Sequence, residues 1–198
     1  MNNNYLPSDY QTFIATSRYA RWLDDEGRRE TWGETVERYL QNIAKTWLKP
    51  VDLQEVRDAI LSLEVMPSMR SLMTAGKAAD RDNTCMYNCS YLPVDDPKSF
   101  DEAMFILLCG TGVGFSVERQ FIAKLPDVPT LFQSETTVVI KDSKEGWAKG
   151  LRQVLALLWA GEIPKWDVSK VRPAGARLKT FGGRASGPAP LIDLFNFA

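Results

Sequence analysis

From Thr31 onward, Trp32, Val36, Tyr39, Leu40, Ile43 and Trp47 recur at spacings of three, four and seven, the single apolar stripe of an amphipathic helix. Thr31 with Glu34 three positions on is a capping-box pattern, so the helix is predicted to start there. Pro50 is predicted to end it. Asp52 can cap a second helix with Val56, Ile60 and Leu63 inward, closed by Pro67. From about Met66 the pattern changes. Short apolar pieces (RSLMTAG, CMYNCSYLPV, GVGFSVER) alternate with Gly, Pro and Asp turns. Asp95, Asp96 and Pro97 form a turn that opens a helix through Phe100, Met104 and Leu108. Thr136 to Ile140 reads as a short buried strand. Ser143 to Glu162 reads as a helix with Trp147, Leu151, Val154, Leu155 and Leu158 inward. Pro190 to Ala198 starts another amphipathic helix and stops after about two turns with no Gly or Asn cap, which suggests a truncated or divided polypeptide. The pattern predicts an α/β fold: a helical region over 1–66, then strand-helix alternation over 67–198.

Composition narrows the chemistry. The chain has 198 residues, 44% hydrophobic and 25% charged, the balance of an ordinary folded protein. Its formal net charge is -1, so no overall basic footprint points to nucleic acid or an anionic membrane. No apolar run reaches the roughly 18–20 residues that span a bilayer. The start MNNNYLPSDY lacks the pattern of a secretory signal, so a cytoplasmic address is expected. There is no histidine. That removes the commonest general base and metal ligand, and no metal site is expected. Three cysteines, Cys85, Cys89 and Cys109, do not suggest a disulfide framework.

Three stretches could carry chemistry. Cys89 lies in the alternating segment Tyr87-Asn88-Cys89-Ser90-Tyr91-Leu92; it is either a small buried hydrophobe or a reachable redox thiol. Cys109 ends an apolar helix and reads as packing. The turn Cys109-Gly110-Thr111-Gly112-Val113-Gly114 places glycines at alternate positions, suited to close backbone approach and positive φ. It lacks a P-loop ending and runs from helix to strand, so it is either a phosphate cradle or a tight turn. From Arg172 to Pro188 runs a Gly- and Arg-rich loop with four basic residues and no acid. Its basic side chains and free amides suit an anion such as a triphosphate, unless it is merely a solvated loop.

Several motifs in order resemble one family. RYARWLDDEGRRETWGETVERYL, PSMRSLMTAG, YNCSYLPV, FDEAMFILLCGTGVGFSVER, SKEGW and KVRPAGARLKTFGGRASGPAPLI are similar to the catalytic subunit of adenosylcobalamin-dependent ribonucleoside-triphosphate reductases, over roughly residues 18–198. The resemblance implies a helical region, then the first strands and helices of a ten-stranded α/β barrel. It implies reduction of ribonucleoside triphosphates to deoxyribonucleotides for DNA synthesis by thiyl-radical chemistry. Adenosylcobalamin would generate the radical, two further cysteines would supply electrons, and a thioredoxin-type reductant would restore them.

The resemblance also assigns residues. Cys89 matches the reducing cysteine of the first barrel strand, and Asn88 with Cys89 the pair lining the substrate. Ser71 falls where the family has a hydroxyl or amide near the substrate, and Gly112 at a pocket turn. Arg172, Gly175, Arg177, Lys179, Gly182, Gly183 and Arg184 overlap the specificity loop, where a deoxynucleoside triphosphate effector selects the next base. The thiyl cysteine, the sulfur partner of Cys89, most of the cobalamin surface and the C-terminal cysteine pair have no match. The expected reductase is therefore inactive without a C-terminal polypeptide. Two other readings remain: a fragment of a diiron-dependent reductase, and a non-catalytic helical adaptor whose basic loop binds an anionic partner.

Overall fold

The computed structural model describes residues 5–178 and 183–198. Two compact units divide the chain between Met86 and Tyr87. The change in sequence texture comes earlier, near 64–70. The short helices after it belong to the first unit because Leu72, fully buried, packs into that unit's core.

The first unit begins with α1 (Asp9–Ile14), a π-helical turn (Ala15–Tyr19) and a short antiparallel hairpin of β1 (Trp22–Leu23) and β2 (Arg28–Arg29). Then follow α2 (Trp32–Asn42), α3 (Pro50–Leu61), α4 (Met69–Thr74) and α5 (Lys77–Arg81). The capping box opens α2 as its sequence requires: the Thr31 hydroxyl accepts from the Glu34 amide, and Glu34 accepts from the Thr31 amide at 2.7 Å. Trp32, Val36 and Leu40 are buried against Ile60, Leu61 and Leu72. The stripe stops sooner than its spacing predicts. The helix breaks at Ile43, where φ is -120°, and Trp47 is 84% exposed. Pro50 does not end this helix. It is the first residue of α3, where its fixed φ suits the helix and its missing N–H costs nothing, with Lys49 extended before it.

A buried ion pair ties this unit together. The Arg38 guanidinium donates to both Glu30 oxygens, at 2.8 and 2.9 Å, and to the carbonyls of Leu72 (2.8 Å), Ala75 (3.0 Å) and Tyr19 (3.2 Å). Glu30 also accepts from the Arg21 amide and the Thr35 hydroxyl. No buried side-chain nitrogen or oxygen among the described residues lacks a partner.

The second unit is built from two parallel strand pairs, each bridged by a helix. β3 (Cys89–Pro93), α6 (Lys98–Leu108) and β4 (Gly112–Ser116) form the first; β5 (Phe132–Val139), α8 (Lys144–Trp159) and β6 (Glu162–Asp167) form the second. The short α7 (Arg119–Ile122) lies between them, and α9 (Ala189–Phe197) closes the unit. Leu191 and Phe195 of α9 join Val138, Ile140, Leu151 and Val154 in the core. Arg152 on α8 grips the buried Asp101 carboxylate on α6 with both oxygens, at 3.0 and 2.9 Å from Nε. The helix read from Ser143 to Glu162 is α8 with Ser143 as its cap, but Glu162 is already in β6, past the turn at Gly161 with φ +89°. Gly146 has no room for a side chain, since a Cβ there would collide with the Lys141 carbonyl. The architecture is mixed α/β, with three two-stranded sheets among the described residues. None of the described helices is long and apolar enough to cross a membrane.

Candidate functional site

Cys89 opens β3, and its register partner is Gly112, the first residue of β4. Two hydrogen bonds hold the approach to β3 against the turn after α6: the Gly112 amide donates to the Asn88 carbonyl at 2.9 Å, and the Thr111 hydroxyl donates to the Tyr87 carbonyl at 2.9 Å. Thr111 is 2% exposed, so this clamp is anchored inside the unit. The Ser90 hydroxyl adds a third bond, to the Gly112 carbonyl at 3.1 Å. Asn88, Cys89 and Gly112 are thus brought together, with Gly112 in the strand rather than in the turn before it. Asn88 and Cys89 are both exposed.

Strand alternation gives the pair two unlike faces. Ser90, Leu92 and Val113 are half-buried on one. Cys89 and Tyr91 lie on the other, opposite Gly112 and Gly114. The glycines do not all serve the purpose their spacing suggests. Gly110 takes φ +85° and needs its freedom. Gly112 and Gly114 are ordinary strand residues, and a Cβ on them would rest 3.5 Å from the Asn88 carbonyl and 3.6 Å from the Ser90 carbonyl, a normal contact. What they contribute is the lack of a side chain, which leaves the sheet beside the thiol bare.

The other two thiols have different surroundings. All three cysteines are free. Cys85 is fully buried in the first unit. Cys109 caps the C-terminus of α6, is 1% exposed, and accepts a hydrogen bond from Lys144 Nζ at 3.0 Å. That ammonium also sits 4.9 Å from the Phe105 ring centre. Sequence spacing gave no sign of Lys144. Ser71 belongs to the first unit, half-buried on α4, where its carbonyl accepts from the Ala75 amide. At the end of β4, Glu118 is held below the usual carboxylate range by a hydrogen bond from the Ser116 hydroxyl.

The basic loop folds back on itself. The Gly175 amide donates to the Ala185 carbonyl, Ala185 to Ala176, and Leu178 to Gly183. Gly187 is buried with φ +75°, and a Cβ there would meet the Ala174 amide nitrogen at 2.8 Å. Gly175 and Gly183 also take positive φ. Arg172 does not join the rest: its Nε donates to both Asp142 oxygens, at 3.0 and 2.8 Å, and so fixes the base of the loop. Arg177 and Arg184 stand directly across an antiparallel bridge. Arg184 also donates to the Gly175 carbonyl at 3.0 Å. Lys179 and Gly182 lie outside the described residues.

A separate cleft of about 490 Å³, lined by Thr136, Thr137, Val138, Val139, Gln153, Ala156 and Leu157, includes none of these residues. Among the described residues no His, Cys, Asp or Glu cluster could hold a metal ion.

A family model described as the insertion domain of B12-dependent ribonucleotide reductase matches residues 127–197. The adenosylcobalamin-dependent ribonucleoside-triphosphate reductase of Lacticaseibacillus paracasei is 30% identical, over 89% of this chain and 33% of its own length. The putative enzyme of the same description from Mycobacterium phage D29 is 29% identical, over 89% of this chain and 30% of its own length. That of Euglena gracilis is also 29% identical, over 89% and 27%. The chain spans about a third of the length of the curated relatives it matches. A crystal structure of a B12-dependent (class II) ribonucleotide reductase superposes with a TM-score of 0.76 over 93% of this chain and 36% of that one, at 24% identity. That likeness is one of fold.

Proposed function

We propose that this chain, which belongs to the adenosylcobalamin-dependent ribonucleotide reductases, supplies the N-terminal part of the reductase: one reducing thiol, part of the substrate floor and the effector loop. The reaction would replace the ribose 2′ hydroxyl of a ribonucleoside triphosphate by hydrogen. Two thiols become one disulfide, and the hydroxyl leaves as water, so atoms and electrons balance. A thioredoxin-type reductant in the cytoplasm would reopen the disulfide. The two parallel strand-helix-strand units would be the first sectors of a ten-stranded barrel completed by a further reductase polypeptide.

The observation that carries this reading is the state of the three thiols. Cys89 alone is exposed, on a bare sheet face, while Cys85 and Cys109 are buried. A thiol that works at a substrate must be reachable. In this reading the second electron-donating sulfur comes from elsewhere in the reductase. Adenosylcobalamin supplies radical generation when bound. Among the described residues no His, Cys, Asp or Glu cluster could hold a metal ion, and none of them is assigned to its cobalt. Its binding is assigned to other parts of the enzyme, and no step here passes through it.

The test is alkylation in the active reductase containing this chain. Iodoacetamide should modify Cys89 before Cys85 and Cys109, and a ribonucleoside triphosphate should slow that modification. Equal labelling of all three, or no protection by nucleotide, would refute the assignment.

The basic loop supports the effector assignment. Arg177 and Arg184, opposed at its neck, with Gly183 beside them, suit a triphosphate; Asn88, next to Cys89, is assigned to the substrate. Arg184→Ala is expected to weaken deoxynucleoside triphosphate binding roughly tenfold or more, the worth of one hydrogen bond to a charged group. Equilibrium binding with labelled deoxynucleotide measures this. Unchanged affinity would remove Arg184 from the site.

A further inference from the structure

Cys89 has one side-chain neighbour along its own face of β3, and that is Tyr91. The ring is 62% exposed. Its register partner is Gly114, just as the partner of Cys89 is Gly112. The result is a trough with a thiol at one end, an aromatic ring at the other and bare glycine backbone alongside both. Two positions along a parallel strand span about 6.6 Å. We propose that Tyr91 is a substrate-contacting residue whose ring stacks on the nucleobase while the ribose lies over Cys89. This rests on the reading of Cys89 given above.

Stacking on a ring face does not read hydrogen-bonding edges, so it serves purines and pyrimidines alike. That suits a reductase that must accept several bases in turn and leave the choice among them to the effector loop. The glycines opposite are part of the same device: a side chain at Gly112 or Gly114 would occupy the bare side of the trough.

The experiment is steady-state kinetics in the active reductase containing this chain, with each ribonucleotide substrate. Base–aromatic stacking is worth about 1–3 kcal/mol, so Tyr91→Leu and Tyr91→Ala should raise KM roughly 5- to 150-fold for every base. The change in kcat should be smaller. Tyr91→Phe should keep KM near that of the parent. Phe115→Leu is the control, because Phe115 is 64% exposed on the opposite face of the sheet. It should leave KM alone. Thermal melts of each variant separate a lost contact from a lost fold. Tyr91→Leu with a parent-like melt and an unchanged KM would overturn the proposal. So would Tyr91→Phe as impaired as Tyr91→Leu, which would assign the effect to the hydroxyl. If Cys89→Ser instead keeps turnover, the reading of Cys89 fails, and that outcome is distinct from a KM result at Tyr91.

Discussion

Cys89→Ser is expected to abolish deoxynucleotide formation in the active reductase while leaving nucleotide binding intact. Serine keeps the approximate shape, and the position is exposed, so packing should barely change. It could not enter the disulfide that would balance the proposed two-electron reduction. Cys109→Ser and Cys85→Ser should behave differently. Both sites are buried, so a hydroxyl there costs stability through desolvation rather than chemistry. At Cys109 the Lys144 ammonium can still donate to the new oxygen, which softens the loss. The measurements are product formation, substrate binding and a melting curve for each variant. If Cys89→Ser turns over normally while Cys85→Ser is dead, the redox thiol has been placed on the wrong residue.

Arg38→Met is expected to destabilise the first unit by about 3–5 kcal/mol, the usual cost of leaving one member of a buried ion pair unpaired. The Arg38 side chain is 14% exposed and that of Glu30 6%, so water cannot substitute for the lost partner. The carbonyls of Leu72 and Ala75 lose their donor as well. Arg28→Met removes a pair with Glu34 whose members are each about two-fifths exposed and screened by water, and should cost far less. Denaturant titration of the two variants makes the comparison; equal losses would refute it. Acid should act on the same pair. Burial pushes the Glu30 carboxyl up, but the Arg38 guanidinium, the Arg21 amide and the Thr35 hydroxyl outweigh it and hold it below its ordinary value. A depressed carboxylate contributes stability that is complete above its unfolded value and is lost as pH falls through the folded one. Glu30→Gln should therefore be less stable than the parent near neutrality, and the gap should narrow in acid.

The sequence revealed starts and faces better than ends and partners. Thr31 and Glu34 announce α2 because the capping box is a local device. Its end was misplaced because Trp47 keeps the spacing of the stripe after the backbone has left the helix, and because Pro50 stops one helix or starts another by the same fixed φ. β6 escaped notice for a similar reason. Glu162 and Lys165 interrupt its alternation, and Pro164 argues against a strand. Cys89 could be placed on a strand, but its exposure and its pairing with Gly112 are tertiary facts. The alternate glycines suggested positive φ throughout, whereas only Gly110 uses it in that turn. Arg172 looked like its neighbours in the basic loop. Only the fold shows that Asp142, 30 positions away, has taken it.

Both parallel sheets of the second unit are closed by a single intervening helix: β3 waits only for α6 before meeting β4, and β5 only for α8 before meeting β6. Parallel pairing usually demands a long search, because strands far apart in the chain must find each other. Here each search is confined to one short loop of polypeptide. On the ribosome, the order of synthesis then becomes the order of assembly. The first pair can register as soon as Ser116 has emerged, covering one backbone edge of β3 that would otherwise recruit other nascent chains.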